Sequence, residues 1–266
     1  DPAVDINSSG NIALAFRSSS GPPNVRTYNF STTNWSSVVT NLYDCIISCD
    51  QTSYPRVAIN DSNEAIIIYS AFYSADKHIY KNENSNILAN GWGTNAQNGY
   101  FSQLIGYEST LPFLQMDNNG NVILSWMSNP DISGNNEIKV KQKISSSWQS
   151  TKTISNSSTN VVNSRIAMSK TTGDAVIVWE QYNGSSVEQI YKLEYDYSES
   201  TWYPDIYDVG YTHDLASTVN PYTPPSTYTP AKNPYVALND SGDSVIIWVQ
   251  QNSSGYYQLF VSRSHN

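Results

Sequence analysis

Charge is scarce in this sequence. Lys and Arg number 14 and Asp and Glu 23 among 266 residues, for a net charge of −9. No basic stretch is present to neutralise phosphates, so neither nucleic acid nor an anionic membrane surface is an expected partner. No apolar run reaches even half the length of a bilayer-spanning helix, and membrane insertion is not expected either. Histidine is limited to His78, His213 and His265, and cysteine to Cys45 and Cys49. Zinc-ligand spacing, a phosphate loop and G-x-S-x-G are all missing, so no metal, cofactor or nucleophilic triad is expected. The start at Asp1-Pro2-Ala3-Val4 lacks the charged-then-apolar pattern of a secretory leader. What the chain does have is Ser, Thr, Asn and 20 Tyr. Such residues suit strands and turns, and a surface of uncharged polar groups points to a secreted or cell-surface protein.

Internal repetition gives the architecture. Val4–Asn11, Val57–Glu64, Leu114–Asn121, Ile166–Asp174 and Val236–Asp243 align, the fourth with Ser169 as a one-residue insertion that leaves Lys170 in the turn motif. Each leads at once into an apolar run ending in an aromatic: Phe16, Tyr69, Trp126, Trp179 and Trp248. Asn or Asp opens each turn by bonding its own backbone, and Gly (Asn63 in the second copy) takes the left-handed position. The pattern predicts a hairpin in each copy. A third, alternating strand is predicted at Val25–Phe30, His78–Asn82, Glu137–Lys143, Val187–Tyr195 and Tyr257–Arg263. A fourth is marked by Trp35, Trp92, Trp148 and Trp202. The aromatic positions recur at intervals of 53, 57, 53 and 69 residues, a period that fits four-stranded antiparallel propeller blades.

The stretch Pro234 to Trp248 (Pro, then Val-Ala-x-Asn, Gly-Asp, an apolar run and Trp) resembles the β-propeller repeats of exported bacterial proteins. The resemblance implies an all-β, five-bladed propeller in one domain, with repeat units near 1–53, 54–110, 111–163, 164–232 and 233–266. The last copy stops after its third strand, so an outer strand is expected to be missing there. A final blade of three strands with a polar edge, or an edge-to-edge contact, is the expected outcome.

Glycoside hydrolysis requires two carboxyl groups at a defined separation. One aligned inner-strand column reads Asp5, Ala58, Gln115, Ala167 and Ala237, and its neighbour reads Ala3, Arg56, Phe113, Arg165 and Tyr235. One carboxylate is not a pair, so no catalytic residue is assigned and the chain is read as a non-enzymatic recognition module for a glycan or protein ligand. A protein-interaction scaffold is one alternative, and a glycoside hydrolase-like propeller with a loop-borne site is another. Binding is assigned to the proline- and tyrosine-rich insertion between the fourth and fifth copies, on Tyr207, Tyr211, Tyr222 and Tyr228 with His213 nearby. Exposed tyrosines there give large contact area for few rotors. Cys45 and Cys49 are expected to form a disulfide. Four residues of straight strand hold their ends about 13 Å apart, too far for a disulfide, so the segment must curl.

Overall fold

In a computed structural model of the chain, the described residues are 2–17, 23–39, 53–73, 76–92, 99–100, 108–129, 134–155, 159–182, 187–203, 213–214, 230–252 and 254–264. They form five successive antiparallel units. The first comprises β1 (Pro2–Ile6), β2 (Ile12–Phe16), β3 (Asn24–Asn29) and β4 (Asn34–Trp35). In the second, β5 (Ser53–Ile59), β6 (Ala65–Tyr73) and β7 (Asp76–Asn84) precede a short helix α1 (Ile87–Asn90) and β8 (Gly99–Tyr100). The third has β9 (Glu108–Met116), β10 (Val122–Asn129), β11 (Glu137–Ile144), β12 (Ser147–Trp148) and β13 (Lys152–Thr153). The fourth has β14 (Val161–Met168), β15 (Ala175–Tyr182), β16 (Glu188–Asp196), β17 (Thr201–Tyr203) and β18 (His213–Asp214). The last has β19 (Ala231–Leu238), β20 (Ser244–Gln251) and β21 (Tyr257–Ser264). Strands pair in chain order within each unit, except that β13 pairs with β11 and β18 with β16, and one parallel bridge, Lys77 to Glu108, joins the second and third. The fold is an all-β propeller.

The turn chemistry read from the sequence explains each first hairpin. The Oδ1 atoms of Asn7, Asn60, Asp117 and Asn239 each accept from the backbone N–H groups two and four residues on. Gly10, Gly120, Gly173 and Gly242, with Asn63 in the second copy, hold the left-handed position. The fourth copy departs from the aligned pattern. Ser169, not Lys170, opens the turn, with its N–H bonded to the carbonyl of Asp174. The extra residue is therefore Lys170, inside the turn.

Apolar residues of the second strands fill the spaces between units. Trp179 and Trp248 are almost fully buried, stacked on Tyr191 and Phe260 of the neighbouring strand, and each donates its indole N–H to a glutamine two residues on. These tryptophans are packing residues. Trp35, Trp148 and Trp202 lie on fourth strands as expected. Trp92 does not: it follows α1 and is buried in the apolar core between the first and second units, while Gly99–Tyr100 supplies the strand paired with β7. The reason is local. Asn86 caps α1 by accepting from the N–H groups of Leu88 and Ala89, so the chain turns into a helix where the repeat would have continued extended.

The final unit has three strands, and no fourth strand pairs with β21 among the described residues. Its outer face is not polar, because Tyr257, Leu259 and Val261 are exposed there. Val4 and Ile6 of β1 are likewise exposed.

Candidate active site at the open end of the inner strands

Among the described residues, β1, β5, β14 and β19 each pair with one strand only, and β9 does so apart from its single bridge to β7. Their unpaired edges face a common axis, with consecutive inner strands side by side. The turn end of that axis is bridged by a lysine. Lys170, the inserted residue of the fourth turn, reaches the carboxylate of Asp5 at 3.5 Å and the carbonyl of Ile59 at 3.4 Å, so the first, second and fourth units meet there. Asp5 also accepts the N–H groups of Ile6 and Ile59. The one carboxylate of its column is thus held by backbone and lysine. Around it Ser8 donates to Asp61 and Ser169 to Asp240, bonds that hold both aspartates below the usual carboxylate range.

The opposite end, where the strands begin, is built differently. Four inner strands carry the same irregularity. Tyr54, Leu111, Asn163 and Asn233 adopt left-handed backbone (φ 51 to 57°) where the pairing register slips. Left-handed backbone is unfavourable for residues with a Cβ, above all bulky ones, and a bulge of this kind re-aims the side chains beside it. Two residues on in each strand stand Arg56, Phe113, Arg165 and Tyr235. They form one continuous stack. The Arg56 guanidinium lies 4.6 Å from the Phe113 ring centre, and that of Arg165 lies 4.3 Å from Phe113 and 5.0 Å from Tyr235. Each arginine also donates to the carbonyl of the residue before it, Pro55 or Ser164, at 2.8 Å. Partial burial and the nearby charge of Arg165 lower the pKa of Arg56 from its ordinary value.

Behind the stack lies Glu180, buried in β15. Its Oε1 accepts the side-chain amide of Asn163 at 2.8 Å and the backbone N–H of Asn233 at 2.6 Å. One carboxylate thereby ties the bulge that aims Arg165 to the bulge that aims Tyr235.

Of the residues assigned from sequence, Tyr207, Tyr211, Tyr222 and Tyr228 lie outside the described residues, as do Cys45 and Cys49. The backbone of His213 is extended and pairs with Lys192 of β16. The arginine–aromatic column is visible in the aligned repeats, although it holds no acid. Its sequence signal is the proline at positions 55, 112 and 234, immediately before three of the four stacked residues.

No protein-family model matches the sequence, and no curated protein matches it either. Solved structures do match the fold. The GH93 α-L-arabinofuranosidase of Fusarium graminearum, in complex with arabinobiose, superposes with a TM-score of 0.55 at 12% identity, covering 98% of this chain and 79% of that one. The Penicillium chrysogenum α-L-arabinanase complexed with arabinobiose does so with a TM-score of 0.55 at 11% identity, covering 98% and 79%. The polysaccharide lyase Uly1 gives a TM-score of 0.56 at 10% identity, covering 99% and 69%. At these identities the likeness is one of fold. It nevertheless corrects the expectation of a non-enzymatic recognition module, because the propellers this chain resembles cleave carbohydrate. The inner-strand column holds one acid, Asp5, but a propeller is free to carry its acids on the connections around the axis instead.

Proposed function

We propose that the protein is a carbohydrate-cleaving propeller of glycoside hydrolase type, working outside the cell on a polymeric saccharide. The observation that carries this reading is the asymmetry of the axis. One end is bridged by Lys170, while the other bears four repeated bulges that direct cationic and aromatic side chains to one place. Backbone strain of this sort clusters at active and ligand-binding sites. The likeness to enzymes solved with arabinobiose supports carbohydrate as the substrate class.

Hydrolysis of a glycosidic bond requires an acid for the leaving oxygen and a second carboxylate about 5 Å away for a retaining outcome, or about 6.5–9.5 Å away for an inverting one. By chain connectivity the segment that leads into β5 arrives at the stacked end and contains Asp44 and Asp50, and the connection between β17 and β18 contains Asp205 and Asp208. We assign the acid pair to these four, with Tyr207, Tyr211, Tyr222 and Tyr228 as stacking surface for sugar rings. The test is release of reducing ends from a panel of arabinans, galactans, xylans and pectins, followed by Asp→Asn replacement at each of the four. Two of the replacements should lower turnover at least a hundredfold without moving the melting temperature. Full activity in all four variants would remove the assignment.

A further inference from the structure

We infer that the Arg56–Phe113–Arg165–Tyr235 stack is a recognition site for a carboxylate-bearing saccharide, a uronate unit, at the open end of the axis. The inference deepens the carbohydrate reading above and depends on it only for taking a sugar as the carrier of the carboxylate. Two guanidinium groups share one phenylalanine ring. Among the described residues no carboxylate lies within ion-pair distance of either, since every ion pair there is made by a lysine. Bringing two like charges together in a half-buried place is unfavourable, and burial and Arg165 together already disfavour the charged form of Arg56. A structural role alone would be served better by neutral side chains at these positions.

The geometry fits an anion of planar shape. Guanidinium carries five N–H donors in a fixed fork, and each arginine directs one of them to a backbone carbonyl at 2.8 Å. The remaining donors suit two-pronged bonding to a carboxylate better than lysine would. The aromatic partners do two things. They fix the guanidinium planes by stacking, and Tyr235, 55% exposed, leaves an open ring face for a pyranose. Glu180 is a positioning residue here, because it fixes Asn163 and Asn233 and through them the directions of Arg165 and Tyr235.

The experiment is calorimetric titration of the whole chain with a short oligogalacturonate, a neutral oligogalactan of equal length and a sulfated oligosaccharide. The account expects the oligogalacturonate to bind at least tenfold more tightly than the neutral probe, with affinity falling as salt rises. Arg165→Lys, which keeps the charge and loses the fork, should weaken binding several-fold, and Arg56→Gln with Arg165→Gln should abolish the preference. Arg26→Gln, at an arginine stacked on Trp35 away from the axis, should change nothing. Equal binding of acidic and neutral probes to the unaltered protein would overturn the site, and this comparison requires no variant to fold. Equal binding of sulfated and carboxylated probes would overturn the assignment to carboxylate. Reducing-end release is scored separately. Uronate binding without cleavage upholds the site and removes the hydrolase reading, whereas cleavage of neutral glycans with no uronate affinity does the reverse.

Discussion

A single asparagine performs different amounts of work in different copies of the turn. In Asn239 the side chain serves its own exposed turn, accepting from Ser241 and Asp243 and donating to Asp243. In Asn7 the same acceptor role is combined with two donated bonds to the next unit, to the Asn60 carbonyl at 3.1 Å and to Asn63 Oδ1 at 3.0 Å. Removing a buried partner leaves other groups unpaired, so Asn7→Ala should destabilise by about 2–3 kcal/mol and Asn239→Ala by about 1 kcal/mol. Urea unfolding of both variants checks this, and equal losses would mean that the link between units is not a stabilising contact. The turn itself was legible from residue types, because Asn, Asp and Gly have local reasons to occupy it. Which residue opened the fourth turn was not. Ser169 and Lys170 compete for one slot in the alignment, and only the backbone bond to Asp174 decides between them.

Strands were legible from alternation and apolar runs, and their observed bounds extend the expected ones mostly at the ends far from the turns. The bulges were not legible, because a left-handed residue at Tyr54 or Leu111 has no composition signal of its own. Asn233 provides a clean test of the device, since its side chain is exposed and makes no bond in the bulge. Asn233→Val should lose about 1–2 kcal/mol through the left-handed penalty on a β-branched residue. Asn233→Gly should stay within about 0.5 kcal/mol of the parent protein in the same chemical unfolding assay. Equal effects would show that the left-handed geometry is not held in solution.

Between the second and third units, Glu83 accepts from Trp148 at 2.6 Å and from Lys143 at 2.8 Å, with Lys81 as a third partner. Burial raises its pKa, but the bonds from Lys143 and Lys81 outweigh that and leave it below the usual glutamate range. The unfolded chain therefore takes up this proton first as pH falls. The stabilisation from Glu83 is complete above about pH 4.3 and is lost on acidification through the lower folded value. Melting temperature should fall in that window, and less steeply in Glu83→Gln. A Gln variant as acid-sensitive as the parent would place the sensitivity elsewhere.

At the scale of the whole molecule, the first and last units expose apolar strand residues where inner units bury theirs. Leu259 is 70% and Val261 49% exposed on the last unit, whereas Ile177 in the fourth is fully buried. Leu259→Ser with Val261→Ser should leave the unfolding midpoint within about 0.5 kcal/mol and improve solubility, because isolated surface changes cost little and exposed apolar strand faces favour aggregation. Ile177→Ala should lose about 2–5 kcal/mol. A large loss from the serine pair, measured by the same unfolding curve, would mean that this face is covered in solution.

Repetition made the architecture readable, since one period imposes the same hairpin in every copy. Function breaks repetition, and so it was harder to read. Lys170 is an insertion, the arginines occupy only two of five equivalent positions, and the candidate acids lie on connections of unequal length. The most direct test of the account is incubation of the whole chain with neutral and uronate-containing polysaccharides, with products identified by mass spectrometry. The account predicts fragments that carry one added water per bond broken, released from uronate-containing chains. An unchanged polymer profile across the whole panel would contradict it.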